Sequence, residues 1–487
     1  MPWIGHAPGG LLGGRRLAWA LIGAAVAVLP GLWLWAFTVD DALIAVRYAR
    51  NLSQGFGWRF NAHGPSTDGV TSLAWPLILA PMACGDPLTT LECAKVLGLC
   101  VWGATGAGLG VAVGRVRSVG WPLKVAVLTS VALSVPLAAY AVSGMETPMA
   151  TALATSAALR VRRPWQATGL AGLAALFRPE MAVWASVLAV SATLASQRRR
   201  DSSALWAAAV ALVPALACAA LRACVWGRPV PLAVLAKPGT VEQGLAYVVV
   251  AFAVSLVPVV ALAPFALVRD RRAMAIVVAF LAHMAAVAIL GGDWMPFSRL
   301  VVPVVPSLAY ASVLVARRAH RGLMALRAAV AISFGATVIA RGPVQQARHV
   351  GWDRAELIAR ARPWLAATSS VAALDIGWVG AATDADIVDL AGLTDPDVAT
   401  LPGGHTSKRV GTMFLLSRRV GTILFYLPRG LPDGTLERWT EAEYSRVVEA
   451  RLGLDPVLAR HYAAVAWLPL GAAGAGYVLL RVRAQSD

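Results

Sequence analysis

Runs of about twenty consecutive apolar residues recur along this chain, each long enough to cross the hydrocarbon core of a bilayer as a helix. Eleven such segments can be drawn, at roughly 17–38, 91–113, 119–142, 146–160, 164–177, 180–196, 203–226, 245–268, 273–291, 298–316 and 322–341. The fourth and fifth are the shortest. With 58% hydrophobic and 14% charged residues among 487, the chain is too apolar for an ordinary soluble surface. It is expected to be a mainly α-helical polytopic protein whose partner is the lipid bilayer. The formal charge of +17 does not point to nucleic acid, because Lys and Arg fall in short clusters between apolar runs. The first run follows Arg15 and Arg16 but is too long for a secretory signal and lacks a small-x-small end, so it reads as a retained anchor.

One stretch, 71–84, is apolar but only about fourteen residues long, and counting it as a span would invert every later loop. The basic clusters arbitrate. With Arg15 and Arg16 inside and 71–84 held at the outer interface, the loops around Arg115 to Arg117, Arg160 to Arg163, Arg198 to Arg200, Arg269 to Arg272 and Arg317 to Arg321 all become cytoplasmic. The expected arrangement is therefore a transmembrane domain over 1–342, with the N-terminus cytoplasmic and interfacial helices near 41–53 and 71–84 in its first outer loop.

From about 343 to 487 the composition becomes that of a soluble domain, expected on the extracytoplasmic side. Short β-like runs at 371–375, 387–390, 422–426 and 476–482 alternate with helical stretches near 354–366 and 440–451, predicting a small α/β module. The five cysteines, Cys84, Cys93, Cys100, Cys218 and Cys224, show no metal-binding or redox spacing and read as small buried hydrophobes. Gly103-Ala-Thr-Gly-Ala-Gly-Leu-Gly has no strand before it and predicts close helix packing, not a nucleotide loop.

On this topology the outer rim collects Asp40 and Asp41 after the first span, Glu146, Arg178 with Glu180, Lys237, and Asp293 with Arg299. Ionisable groups at a lipid boundary are costly unless solvated, paired or used. Two adjacent carboxylates repel, and their neighbours Trp35, Phe37 and Leu43 would raise the pKa of the less solvated one. One could act as a general base while the other orients it, caps the following helix, or shares a divalent cation with its neighbour. The segment beginning Asp41-Ala-Leu-Ile-Ala-Val-Arg has helical spacing and could lie flat on the outer surface. Gly55-Phe-Gly-Trp-Arg-Phe-Asn beyond it suits either sugar stacking or an aromatic belt.

Several motifs, in order, carry a resemblance. Asp40-Asp-Ala-Leu-Ile-Ala-Val-Arg-Tyr-Ala-Arg-Asn and Gly69-Val-Thr-Ser are followed by Ser143-Gly-Met-Glu-Thr-Pro, Phe177-Arg-Pro-Glu and Gly227-Arg-Pro-Val-Pro with Ala236-Lys. Gly291-Gly-Asp-Trp-Met-Pro-Phe-Ser-Arg, Asp375-Ile-Gly and Asp389-Leu-Ala-Gly complete the series. Together they resemble polyprenyl-phosphate-dependent glycosyltransferases of the GT-C type, and most of all the terminal arabinofuranosyltransferases of the actinobacterial cell wall. The resemblance implies a GT-C-like fold in the inner membrane and inverting transfer of a sugar, arabinofuranose favoured, from a polyprenyl-phosphate donor to a glycan or glycolipid acceptor of the cell envelope.

It implies an aspartate base, Asp40 first and Asp41 second. Lys237, Arg299 and Arg178 become candidates for the donor phosphate, and Glu146, Asp293, Arg47 and His63 for substrate binding. The C-terminal region is shorter than in those arabinosyltransferases, which leaves sugar and acceptor open. A transporter or flippase is the rival class; it would place its charges near midplane in repeated halves, and neither is visible here.

Overall fold

The computed structural model describes residues 9–83, 85–196, 202–254, 269–471 and 474–483. Arg198 to Arg200, Cys84 and the last part of the expected 245–268 span lie outside them. The chain forms two compact units, each built from separated segments.

The first unit, 1–35, 95–216 and 240–346, is helical. Every expected span produces helix within the described residues, but the lengths differ. Gly14–Trp33, Pro87–Gly114, Ser203–Trp226, Arg271–Ile289 and Gly322–Ile339 are long and apolar enough to cross a membrane. The expected 119–142 span is broken into Trp121–Ala132 and Val135–Ala141, bent by 58°, and makes a sixth if taken as one. Its break falls at Leu133-Ser134: the first helix ends at Ala132, four residues before Pro136, which lacks the N–H that would bond back to the Ala132 carbonyl.

Thr147–Leu159, Pro164–Phe177, Met181–Ser196 and Val305–Ala316 are helices of 13, 14, 16 and 12 residues, short of the roughly twenty a perpendicular crossing takes. Helix Met181–Ser196 packs against Pro164–Phe177 and Arg271–Ile289, burying Trp184, Leu188 and several alanines. The Gly-rich run works as packing: a Cβ at Gly106 would overlap the Gly23 carbonyl, and one at Gly110 that of Trp19, so the two helices meet backbone to backbone.

The second unit, 36–94, 217–239 and 347–487, is larger than the expected 343–487 domain because two earlier segments fold into it. Its sheet has the order β2-β1-β3-β5-β4, from β1 Ser370–Ala373, β2 Asp386–Asp389, β3 Thr422–Leu427, β4 Tyr462–Pro469 and β5 Gly476–Val482. β1 pairs in parallel with β2 and β3, whereas β3–β5 and β4–β5 are antiparallel. The short apolar runs of β1 and β3 are buried along nearly their whole length, which is why they carry no alternation. Strand β4, which sequence patterning overlooks, is Ala-rich and interrupted by a register shift between Ala464 and Ala466.

Helix Asp40–Ser53 is not the surface-lying helix its spacing suggests. Ten of its fourteen residues are buried, including Asp40, Arg47 and Tyr48, so it is a core element of this unit. The expected 71–84 interfacial helix is reduced to Ala74–Leu79 and a single 3-10 turn, Ala80–Met82.

Candidate functional site

The acidic pair stands at the first turn of helix Asp40–Ser53, and its two members have different surroundings. Asp40 is 9% exposed. Its Oδ2 accepts the Gly377 N–H at 2.7 Å and its Oδ1 the Trp378 N–H at 2.9 Å, with the Arg354 Nε 3.8 Å away. Gly377 and Trp378 open the helix Ile376–Ala382 that follows β1, and their N–H groups are among the donors a helix start leaves without intrahelical partners. Asp40 is thus a capping carboxylate delivered from a segment more than three hundred residues away. Gly377 is required by this contact, since a Cβ there would overlap the Asp40 carbonyl. The Asp40 and Asp375-Ile-Gly motifs are therefore two halves of one junction. Burial pushes the Asp40 carboxyl up to about 6, against the pull of Arg354 and the two N–H donors, with Asp375 adding to the rise.

Asp41 faces a different environment. Its carboxylate pairs with Lys237 at 3.8 Å, and both side chains keep about a fifth of their surface, 19% and 18%. Lys237 ends the short helix Leu232–Ala236, placed by the backbone bond from Leu232 N–H to the Asp68 carbonyl. Asp68 is in turn held by Arg222, whose Nε donates to its Oδ2 at 2.8 Å and whose Nη2 donates to the Val70 and Thr71 carbonyls. Both partners are buried. Neither Asp68 nor Arg222 stands out in the sequence; a lone Arg four residues before the end of an apolar helix was the available signal.

Arg47, a candidate for substrate, is spent on structure. It is 6% exposed and donates to the carbonyls of Phe60, Gly380, Thr383 and Ala385, tying helix Asp40–Ser53 to the loop before β2. His63 packs edge-on against Phe56, with centroids 5.7 Å apart, and lines an open groove of about 840 Å³. The groove is polar: Arg50, Asp86, Arg362, Thr368, Ser369 and Asp384 contribute to it. Ion pairs Arg50–Asp384 and Arg362–Asp86 lie along its walls.

The remaining candidates belong to the first unit. Arg178 is 1% exposed and pairs with Glu146 at 2.8 Å and Glu180 at 2.9 Å, joining the loop after Pro164–Phe177 to the start of helix Thr147–Leu159. Arg299 pairs with Asp293, and the segment between them is irregular, with Phe297 and Ser298 at positive φ. Tyr140 Oη donates to the Pro296 carbonyl and Tyr247 Oη accepts the Leu300 N–H, which pins that segment at both ends. All three candidate phosphate ligands, Lys237, Arg299 and Arg178, thus carry carboxylate partners.

Among the described residues no group of three or more His, Cys, Asp or Glu side chains is arranged to hold a metal ion.

A second buried cluster escapes the sequence reading. Arg446 pairs with Asp375 at 2.6 Å and Glu449 at 3.4 Å and lies over the Tyr426 ring, and the Tyr477 hydroxyl donates to Asp375 at 2.5 Å. Glu449 is wholly buried, and burial pushes its carboxyl up to about 8 despite Arg446, with Asp375 adding to the rise.

Residues 344–478 match a family described as a domain of unknown function (DUF8728). No curated protein and no solved structure matches the chain.

Proposed function

We propose that this chain is an inverting, polyprenyl-phosphate-dependent glycosyltransferase of the GT-C type, working at the outer face of the inner membrane with its second unit extracytoplasmic. The full topology proposed is eleven crossings with a cytoplasmic N-terminus, the shorter helices crossing where tilt or local thinning of the bilayer accommodates them. The favoured donor sugar is arabinofuranose, and the acceptor is a cell-envelope glycan or glycolipid.

The observation that carries the reading is the unequal use of two adjacent carboxylates. Asp40 is committed to capping a buried helix, whereas Asp41 is accessible and sits against a lysine. We assign the general base to Asp41, reversing the order suggested by sequence alone. Asp41 accepts the proton of an acceptor hydroxyl, and that oxygen attacks the anomeric carbon from the face opposite the phosphate. The sugar–phosphate C–O bond breaks with its electron pair going to the phosphate, which leaves as a dianion.

Lys237 is assigned to that phosphate. Lys237 lies 3.8 Å from the Asp41 carboxylate, so the proposed base stands beside the cation assigned to the departing phosphate. Arg178 and Arg299, enclosed by carboxylates, are assigned to positioning their own loops. The groove beside His63 is assigned to the acceptor chain. Its volume suits a small-molecule or oligosaccharide site. Arg50 on its wall lies nine residues beyond Asp41 on the same helix, roughly 13 Å at the α-helical rise.

The test is a panel of radiolabelled polyprenyl-phosphate sugars offered with glycan acceptors to the purified protein in detergent. Transfer of one sugar with inversion supports the assignment, and labelled lipid recovered intact across the whole panel sinks it.

A further inference from the structure

The first unit contains a cavity that the proposed reaction does not use. It measures about 490 Å³ and is walled by Arg115, Arg117, Arg162, Arg272, Arg317 and Tyr310. These five arginines come from four separate helix junctions, each expected from charge parity to face the cytoplasm. A diffuse topology signal has no need to converge. Scattered arginines satisfy the positive-inside rule equally well, and bringing five guanidinium groups around one void costs like-charge repulsion.

The arrangement is also braced. Asp270 is 6% exposed and caps helix Arg271–Ile289 by accepting the N–H groups of Arg272 and Ala273. The same carboxylate lies 3.7 Å from Arg272 Nε and 3.6 Å from Arg317 Nη1, and Arg317 Nε donates to the Ser118 hydroxyl at 3.2 Å. Two of the five cations are thereby fixed in place, leaving a strong positive excess around the cavity.

We infer that this arginine-walled cavity is a binding site for a phosphate group, held bidentately by planar guanidinium forks. A phosphate would offset the repulsion that the empty arrangement carries. Two sources supply that chemistry: the headgroup of an anionic phospholipid in the adjoining leaflet and soluble phosphate. The site is independent of the proposed glycosyl transfer.

The experiment uses the full chain in nanodiscs of neutral phosphatidylcholine. Its melting temperature is followed while phosphatidylglycerol is raised in the disc or inorganic phosphate is added to the buffer. A saturable rise is expected with one of the two. Saturation by phosphatidylglycerol alone identifies a lipid headgroup, and saturation by inorganic phosphate identifies a soluble anion. The triple variant Arg115→Gln, Arg117→Gln, Arg162→Gln should weaken the half-saturating concentration at least tenfold. The charge-matched control Arg163→Gln, Arg271→Gln, Arg318→Gln, which alters the same basic loops without touching the cavity wall, should respond like the parent.

Equal weakening in both triples would overturn the inference in favour of diffuse surface charge. So would a parent protein that responds to neither additive and retains no anionic lipid in native mass spectrometry. Should the cavity triple fail to fold, the single Arg162→Gln, an exposed position, carries the same comparison against Arg163→Gln.

Discussion

Replacing Asp40 by Asn asks whether this carboxylate holds the fold or performs the chemistry. In the parent, two oxygens accept two buried backbone N–H groups, from Gly377 and Trp378. An Asn side chain offers one acceptor, and its NH2 must face the other N–H, donor against donor. One charge-assisted hydrogen bond worth about 1.5–3 kcal/mol is lost and a buried donor is orphaned at about 1–3 kcal/mol. Relief of the carboxylate's own burial penalty returns part of this, so the net cost is roughly 2–4 kcal/mol. For a unit of about 150–250 residues that lowers the melting temperature by roughly 5–15 °C.

The assay is intrinsic tryptophan fluorescence on heating in detergent at pH 7.5. Trp378, one of the chain's 18 tryptophans, is fully buried and donates its backbone N–H to Asp40. The loss should grow toward pH 5, because Asp40 is pushed up to about 6 in the fold from an ordinary value of 3.8, so the folded parent binds the extra proton and gains stability as pH falls, which Asn cannot do. An Asp40→Asn protein that melts with the parent at pH 7.5 and has lost sugar transfer would refute the reasoning and return the base to Asp40.

Three further outcomes follow from the same structure. Arg222→Met should destabilise by about 3–5 kcal/mol, because it strands the Asp68 carboxylate in a buried site; a melting temperature within a degree of the parent would contradict this. Glu449 titrates near 8 in the fold and near 4.5 unfolded, so between those values the folded state binds the extra proton and stability falls as pH rises, by up to about 1.4 kcal/mol per pH unit from this group. Glu449→Gln should flatten that limb and melt above the parent at pH 8, and parallel stability profiles would exclude the assignment. Lys237→Met should raise KM for the donor more than tenfold with little change in melting temperature, since the pair it breaks is partly solvated; an unchanged donor KM would exclude Lys237 from the phosphate.

How much of this was legible beforehand depends on whether the signal is local. Apolar runs are local, and each forms helix where expected in the described residues, although four are shorter than a crossing requires and 119–142 is bent. The strands β1, β2, β3 and β5 were legible as apolar runs, whereas β4 was hidden by its alanines. Partnerships across the sequence were not legible. Arg47 looks like one charge on an amphipathic helix, yet its four carbonyl acceptors lie 13 to 338 residues away. The same holds for Arg222 with Asp68, and for Asp375 with Arg446. The expectation that one member of the acidic pair would be poorly solvated follows from its apolar neighbours. Which member it is depends on the helix Ile376–Ala382, whose arrival beside residue 40 no local pattern encodes.

The central claim is that Asp41 is the base, and the most direct measurement is the transfer rate of Asp41→Asn at saturating donor and acceptor. The account predicts a fall in kcat of about 10²–10⁴-fold with a melting temperature near that of the parent. Parental kcat in Asp41→Asn would contradict it.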